Sequence, residues 1–436
     1  MDKMKKRIGI IIGKIGGIDG VALEAEKWIH VLKKLGHEVF VLTGLVERKI
    51  LDKSHVEENH KLSFYHKENL AIQKNAFDEV CKDISRLRKR IDSHADKISR
   101  IIADWIKNKK IDIVISENAS SLPFNLALGI AIKKIVDIEG TKVISHNHDF
   151  WWERGKRYKP DKPSIRKIIE EAFPLKRKTV KHVIINKNQK KYLKDNYNIE
   201  SIVIPNVMDF SKKFGKVTKQ SRELKKDLGL DSDDILIFQI TRIIPRKKIE
   251  TAIELIKRLK NPKIKLIITG VLKKDLNKNY LKHLKSIVKK EKLEKQIIFA
   301  GNYFDSCSNF ISKNSACKNK NTHGTHSLND AYANADGCSY FSSYEGFGNA
   351  FIEAILAKKP IFVNNYKPVY WDNIGNKGFK TIMIEDNRLT NDDVEKIRKI
   401  ISNKKLQIKI GEYNYKIGKK YFSYGVLEKK LKKLIK

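Results

Sequence analysis

Glu345 and Glu353 bracket the run Gly346-Phe347-Gly348-Asn349, in which two glycines precede an apolar stretch. The pattern predicts a turn that launches a helix over 349–357, with Ala350, Ile352, Ala354, Ile355 and Leu356 as its apolar positions. A helix start offers backbone N–H groups to an anion, and the two carboxylates offer acceptors to hydroxyls. Such a set suits a ligand that joins an anion to several hydroxyls, as a nucleotide sugar does. The flanks agree. Residues 336–343 read as a strand ending in small polar residues and 359–363 begin the next strand, and doubly wound sheets bind ligands at such strand ends.

A second group of residues is cationic. Arg242 and Lys247 follow the apolar strand 235–240, with Pro245 between them making a tight turn. Two cations at the mouth of a sheet can stabilise a leaving diphosphate, Arg as a fork and Lys as a point charge. With Arg246 and Lys248 adjacent, a solvated basic turn is the plainer alternative. Gly16 and Gly17 lie between the first strand and a helix beginning near Asp19, where glycines let the backbone approach a phosphate or substrate closely. Their spacing is neither the dinucleotide fingerprint nor a P-loop, and Asp19 reads as a helix N-cap. His146-Asn147-His148-Asp149-Phe150-Trp151-Trp152-Glu153-Arg154 follows the strand 142–145. Trp151 and Trp152 can stack on a sugar ring and Arg154 can pair with a carboxylate or phosphate; an aromatic plug is the competing reading. Asp231-Ser232-Asp233 precedes a strand in a polar turn and reads as turn chemistry rather than a metal clasp. Cys307, Cys317, His323 and His326 lie in the polar segment 302–327 without a zinc spacing, and that segment reads as a loop or lid of undetermined role.

The elements that must carry these residues alternate in the manner of parallel sheets covered by helices. Strands are expected at 7–13, 38–43, 112–116, 142–145, 183–186 and 202–204, then at 235–240, 265–269, 297–300, 337–341, 360–363 and 381–384. The charged stretch 76–107 predicts one long helix or a broken pair. The domain break falls near 206–212, giving domains 1–208 and 209–415 and a closing segment 416–436. The tail 421–436 is a basic amphipathic helix with Val426, Leu427, Leu431, Leu434 and Ile435 apolar, a face suited to packing or to a membrane surface, and by resemblance to chains of this two-domain architecture packing on the first domain is expected.

At 436 residues the chain can hold two well-filled cores, and 32% charged residues suit a globular protein. The short apolar run at 8–12 is too brief for a secretory signal, and four irregularly spaced cysteines fit a reducing compartment, so the expected location is cytoplasmic. The net charge of +39 is scattered through nearly every segment, as on a solvated surface. It allows peripheral contact with an anionic membrane, and no nucleic-acid module is present to make nucleic acid a partner.

The run 342–363 resembles the donor-site signature of family 4 retaining glycosyltransferases. The pieces Gly16-Gly17, His148-Asp149, Pro205-Asn206 and Arg242/Lys247 stand in the expected order across nearly the whole chain. The residues after His148 resemble a branch carrying His-Asp-Phe-aromatic-Trp-Glu-Arg. The resemblance implies an α/β fold of GT-B type, two Rossmann-like doubly wound domains facing across a cleft. It also implies a retaining hexosyltransferase that uses a nucleoside diphosphate sugar, a hydroxyl acceptor such as a sugar, sugar acid or lipid-linked glycan, no cofactor and no metal. By the same likeness the catalytic set is His148, Arg242, Lys247 and Glu345. Gly16, Gly17, Gly346, Phe347, Gly348, Asn349 and Glu353 bind the donor, and Asp149, Trp151, Trp152 and Arg154 face the acceptor. A catalytically idle binder of anionic lipid or polymer and a sugar-nucleotide epimerase of the same fold are the alternatives. Neither the donor base and sugar nor the acceptor is legible.

Overall fold

The computed structural model describes residues 5–78, 81, 83–270, 278–304 and 325–436. Cys307, Cys317 and His323 of the polar segment lie outside them. The chain divides into two compact units, 1–205 with 427–436, and 206–426. Among the described residues no helix is long and apolar enough to cross a membrane.

The first unit is built on a seven-stranded parallel sheet in the order β3-β2-β1-β4-β5-β6-β7. The strands are β1 (Arg7–Ile12), β2 (Glu38–Thr43), β3 (Val56–Glu58), β4 (Ile113–Glu117), β5 (Val143–Asn147), β6 (Val180–Ile184) and β7 (Ser201–Val203). Runs such as Ile-Gly-Ile-Ile-Ile are apolar on both faces because helices cover both sides of a parallel sheet. The long helix Ile84–Lys109 buries Leu87, Ile91, Ala95, Ile98, Ile102 and Trp105, one stripe at helical spacing, and Lys110 ends it with a left-handed φ of 50°. Gly9 sits where an added Cβ would come within 2.4 Å of the Trp105 ring, so the missing side chain lets that helix lie close to the sheet.

The second unit holds a six-stranded parallel sheet in the order β10-β9-β8-β11-β12-β13. Its strands are β8 (Ile235–Gln239), β9 (Ile264–Ile268), β10 (Ile297–Phe299), β11 (Gly337–Tyr340), β12 (Ile361–Asn364) and β13 (Ile382–Ile384). The strand order reverses between β1 and β4 in the first unit and between β8 and β11 in the second. In an open α/β sheet the crevice for ligands opens at that reversal, outside the carboxyl ends of the strands.

The chain's end returns to the first unit. Helix Tyr424–Leu434 buries Leu427, Leu431 and Leu434, and Lys430 donates to Val203 O at 2.8 Å. The unpaired carbonyls of its last turn find lysines: Lys181 donates to Leu434 O at 3.2 Å and Lys6 to Ile435 O. Leu431 is fully buried. Leu431→Ala should therefore cost the first unit about 2–5 kcal/mol, the usual range for a core cavity. A chemical denaturation midpoint equal to that of the wild type would show that the returning helix does not support this unit.

Candidate active site

In the second unit the site is assembled by two neighbouring strands. The loop after β8 turns through Pro245–Lys247, and Lys248 takes a left-handed φ of 47° to enter helix Ile249–Leu259. Gln239 closes β8 by donating to Lys247 O at 3.2 Å and accepting from Ser339 Oγ at 2.7 Å, which ties the loop to β11. Ser343, past the end of β11, donates its N–H to Arg246 O at 2.8 Å. Glu345 is thereby delivered between two cations. Arg246 Nη1 reaches its Oε2 at 2.8 Å and also bonds Tyr344 O at 2.7 Å, while Lys247 Nζ donates to its Oε1.

Glu345 is buried, and burial alone would raise its pKa. Lys247 and Arg246 reverse that and hold the carboxyl below its usual value. Lys247 is pulled below the ordinary lysine value by its own burial and by Arg246 and Arg242, against the opposing pull of Glu345. Its ammonium stands 5.2 Å over the Tyr340 ring. Arg242 is exposed at the mouth of the same loop. Two cations meet the Glu345 carboxylate, and Arg242 lies close enough to act on Lys247, which makes this end of the sheet a cationic site.

Helix Asn349–Leu356 starts directly beyond. Gly348 has a φ of 139°, and a Cβ there would meet Tyr366 Oη at 2.3 Å; that hydroxyl donates to Phe347 O at 2.6 Å. Only glycine fits this turn. Asn349 Oδ1 accepts from Asn206 Nδ2 at 2.9 Å, which ties the start of the second unit to the helix start. Glu353 lies one turn on, half-buried, with Oε2 accepting from the buried Tyr332 hydroxyl at 3.1 Å.

In the first unit Gly16 and Gly17 belong to the loop after β1. Gly16 has a φ of 82°, and a Cβ would lie 2.6 Å from Arg48 N; at Gly17 it would lie 1.9 Å from the Glu47 carboxylate. Asp19 caps helix Gly20–Lys34 through Ala22 N at 3.1 Å. His148 follows β5 and is almost wholly buried, its Nε2 3.2 Å from Glu117 Oε2. His146 Nδ1 approaches the same carboxylate at 3.0 Å, and its ring stacks on Trp28 at 4.1 Å. Burial pushes Glu117 up, but the two imidazoles more than offset it and bring the carboxyl down to about 2.

Asp149 and Arg154 pair with each other at 2.6 Å. Trp151 donates Nε1–H to Phe173 O at 3.0 Å, and Trp152 is stacked among Phe150, Tyr192 and Tyr197 with centroids 4.5, 4.7 and 5.0 Å away. These contacts give both indoles a packing role within the unit.

Among the described residues, two clusters carry groups of metal-binding type: Glu117 with His146 and His148, and Asp231 with Asp233 and Asp234. In the first, the carboxylate is shared by two ring nitrogens at hydrogen-bond distance. In the second, Lys263 pairs with Asp231 and Asp233 at 3.1 Å each and Lys265 lies 3.7 Å from Asp234. These lysines already compensate the acids, which stand before β8, at the opposite end of that strand from Arg242.

Sequence reasoning did not single out Glu117, and it named Arg246 only as a neighbour that left a solvated basic turn open as the alternative. The signal for Arg246 was its adjacency to Lys247; for Glu117 it was a carboxylate ending an otherwise apolar strand beside the histidine strand.

Residues 220–417 match the family model of glycosyl transferases group 1. Over nearly the whole chain the sequence is 29% identical to mannosylglucosylglycerate synthase of Thermotoga maritima, covering 97% of this chain and 98% of that protein. It is also 29% identical to the Petrotoga mobilis protein of the same name, covering 86% of each. The chain has the GT-B fold, two Rossmann-like units each built on a parallel sheet. A glycosyltransferase from Rickettsia africae shares the fold with a TM-score of 0.65 at 18% identity, covering 99% of this chain and 98% of that one. An Anabaena protein crystallised with UDP and glucose does so with a TM-score of 0.62 at 12% identity, covering 98% of each.

The ionised Glu117 has a consequence for stability. Its folded pKa is depressed from 4.5 to about 2, so its contribution is fully present above pH 4.5 and is lost as pH falls towards 2. The shift corresponds to about 3 kcal/mol. The first unit of Glu117→Gln should lose less stability than the wild type between neutral pH and pH 3, measured by urea unfolding. Parallel losses in the two proteins would refute the ionised pair.

Proposed function

We propose that this chain is a glycosyltransferase that moves a hexosyl group, with retention of configuration, from a nucleoside diphosphate sugar to a hydroxyl of a sugar acid. The observation that carries this reading is the pairing of the buried Lys247 and Glu345 with the half-buried Arg246, with Arg242 beside them. Cleavage of the bond between the anomeric carbon and the diphosphate leaves its electron pair on oxygen. Arg242, Lys247 and the N–H groups at 346–349 are the groups to receive that charge, and fixed positive groups in a desolvated site cost no reorganisation as the charge develops. The acceptor oxygen bonds the anomeric carbon on the face the diphosphate leaves, and its proton passes to a diphosphate oxygen. Glu345 holds Lys247 in place and meets sugar hydroxyls; Glu353 accepts from the ribose, and His148 serves the donor sugar. Gly16 and Gly17 keep the first-unit loop free of side chains for the donor. Asp149, Trp151, Trp152 and Arg154 line the acceptor side in this reading, with the two indoles shaping its wall from their packed positions.

The acceptor class rests on the two relatives, which are named for a product carrying mannosyl and glucosyl groups on glycerate, a sugar acid. Charge compensation by side chains removes the need for a divalent ion, and the carboxylates 231 and 233 are already engaged by lysine. Lys247→Ala should therefore lower turnover by about two orders of magnitude or more while the protein stays folded, the scale seen when a transition-state charge partner is removed. Wild-type turnover should survive EDTA. Turnover near the wild-type value in the mutant would take Lys247 out of the mechanism. Loss on chelation, restored by Mg²⁺ and abolished by Asp233→Asn, would overturn the metal-free reading.

A further inference from the structure

We infer that Glu117 is a positioning residue for the proposed transfer. It takes the Nε2–H of His148, leaves Nδ1 for the donor, and keeps that imidazole cationic so that Nδ1 donates rather than accepts. The inference rests on His148 serving the donor sugar.

The geometry begins at adjacent parallel strands. β4 ends on Glu117 and β5 pairs with it in register, with Glu117 opposite His146. An ionised carboxylate only accepts, so the nitrogen 3.2 Å from Glu117 Oε2 must carry a proton; that nitrogen is His148 Nε2. A neutral imidazole has one N–H, so with Nε2 committed its Nδ1 can only accept. In the imidazolium both nitrogens donate. The state of His148 therefore decides whether Nδ1 offers a hydrogen bond to a sugar or diphosphate oxygen or competes for a hydroxyl proton.

The backbone holds the ring in this pose. Asn118, with a left-handed φ of 58°, turns its side chain so that Oδ1 accepts from His148 N at 2.9 Å, Asp149 N at 3.3 Å and Ser121 Oγ at 2.9 Å. On the other side Gln189 Nε2 donates to His148 O at 3.0 Å. One carboxylate and two histidines leave the question of which ring takes the charge. His146 is fully buried and stacked on Trp28, and burial lowers its pKa, so it stays neutral and donates only Nδ1–H. His148 keeps a small opening to the surface. Burial pulls it down as well, but the bond and charge of Glu117, helped by Glu24 and Asp149, raise it overall. Glu24, on helix Gly20–Lys34, is itself paired with Lys27 at 2.8 Å, and Asp149 with Arg154, which leaves Glu117 the main counter-charge.

The test pairs a direct readout with a kinetic one. Long-range ¹H–¹⁵N spectra of the histidine-labelled full chain should show His148 protonated on Nε2 at every pH and titrating above 6.5. In Glu117→Gln the titration should move down by about one unit or more, the scale of a lost neighbouring charge. The alkaline limb of the kcat profile should move with it while KM for the acceptor stays put. Glu117→Asp should restore part of the shift. His146→Phe, which keeps a ring on Trp28 and frees the carboxylate for His148, should move the titration the other way and serves if the Gln variant does not fold. A wild-type His148 that titrates below 6.5, a neutral form protonated on Nδ1, or a profile unmoved in an active Gln variant would overturn the inference. So would one equivalent of divalent metal on the purified protein seated at these rings. An inactive wild type would count against the proposed transfer and leave the spectra to decide on Glu117.

Discussion

A carboxylate removed from water must keep a cation beside it, and in the second unit that requirement organises the site. Glu345 cannot stay ionised in its buried position without Arg246 and Lys247; Arg246 is bonded to the backbone of the loop that carries Glu345, and Lys247 is fixed through Gln239 at the end of β8. Leaving one partner of such a cluster unpaired costs about 3–5 kcal/mol, so the loops after β8 and β11 are fixed to one another rather than merely adjacent. The glycine turn at 348 and the helix it launches inherit that fixed position. Preorganisation of charge therefore comes from folding and needs no ligand to assemble it.

The first unit solves a similar problem with different chemistry. Glu117 is also a buried acid at a strand end near the reversal of strand order, but its partners are imidazoles, whose charge can change near neutral pH. The contrast is functional in the proposed transfer. Permanent cations suit a diphosphate that is always anionic, whereas a titratable ring suits a sugar whose hydroxyls both donate and accept. Glu353 extends the pattern: the buried Tyr332 hydroxyl occupies one of its oxygens and so orients the carboxylate.

Most of the fold was legible because parallel strands are apolar on both faces and their runs stand out. All twelve expected strands are present within a few residues, and β3, Val-Glu-Glu at the sheet edge, escaped because an edge strand need not be apolar. The fold's two sheets were readable for the same reason, but the strand order and its reversal points were not, since alternation does not say which strands pair. The pairing of Lys247 with Glu345 was not readable, since nothing in a linear order says that residues so far apart in sequence meet. Arg246 looked like a solvated neighbour of Lys247 because a basic run carries no sign of which member turns inward. Glu117 was hidden by the opposite effect: a polar residue closing a strand is ordinary until its neighbouring strand supplies two histidines. Trp151 and Trp152 left stacking on a ligand and internal packing equally open, and the structure supplies packing partners for both.

The central claim is that fixed positive charge at the Arg246–Lys247–Glu345 cluster drives departure of a diphosphate and that the acceptor enters on the same face. The most direct measurement is the anomeric ¹³C–¹H coupling of the product formed by the wild-type protein from an α-configured nucleoside diphosphate hexose and a glycosylated glycerate acceptor. The account predicts an α-linked product with stoichiometric release of nucleoside diphosphate. A β-linked product, or release of free hexose with no transfer across a panel of sugar-acid acceptors, would contradict it.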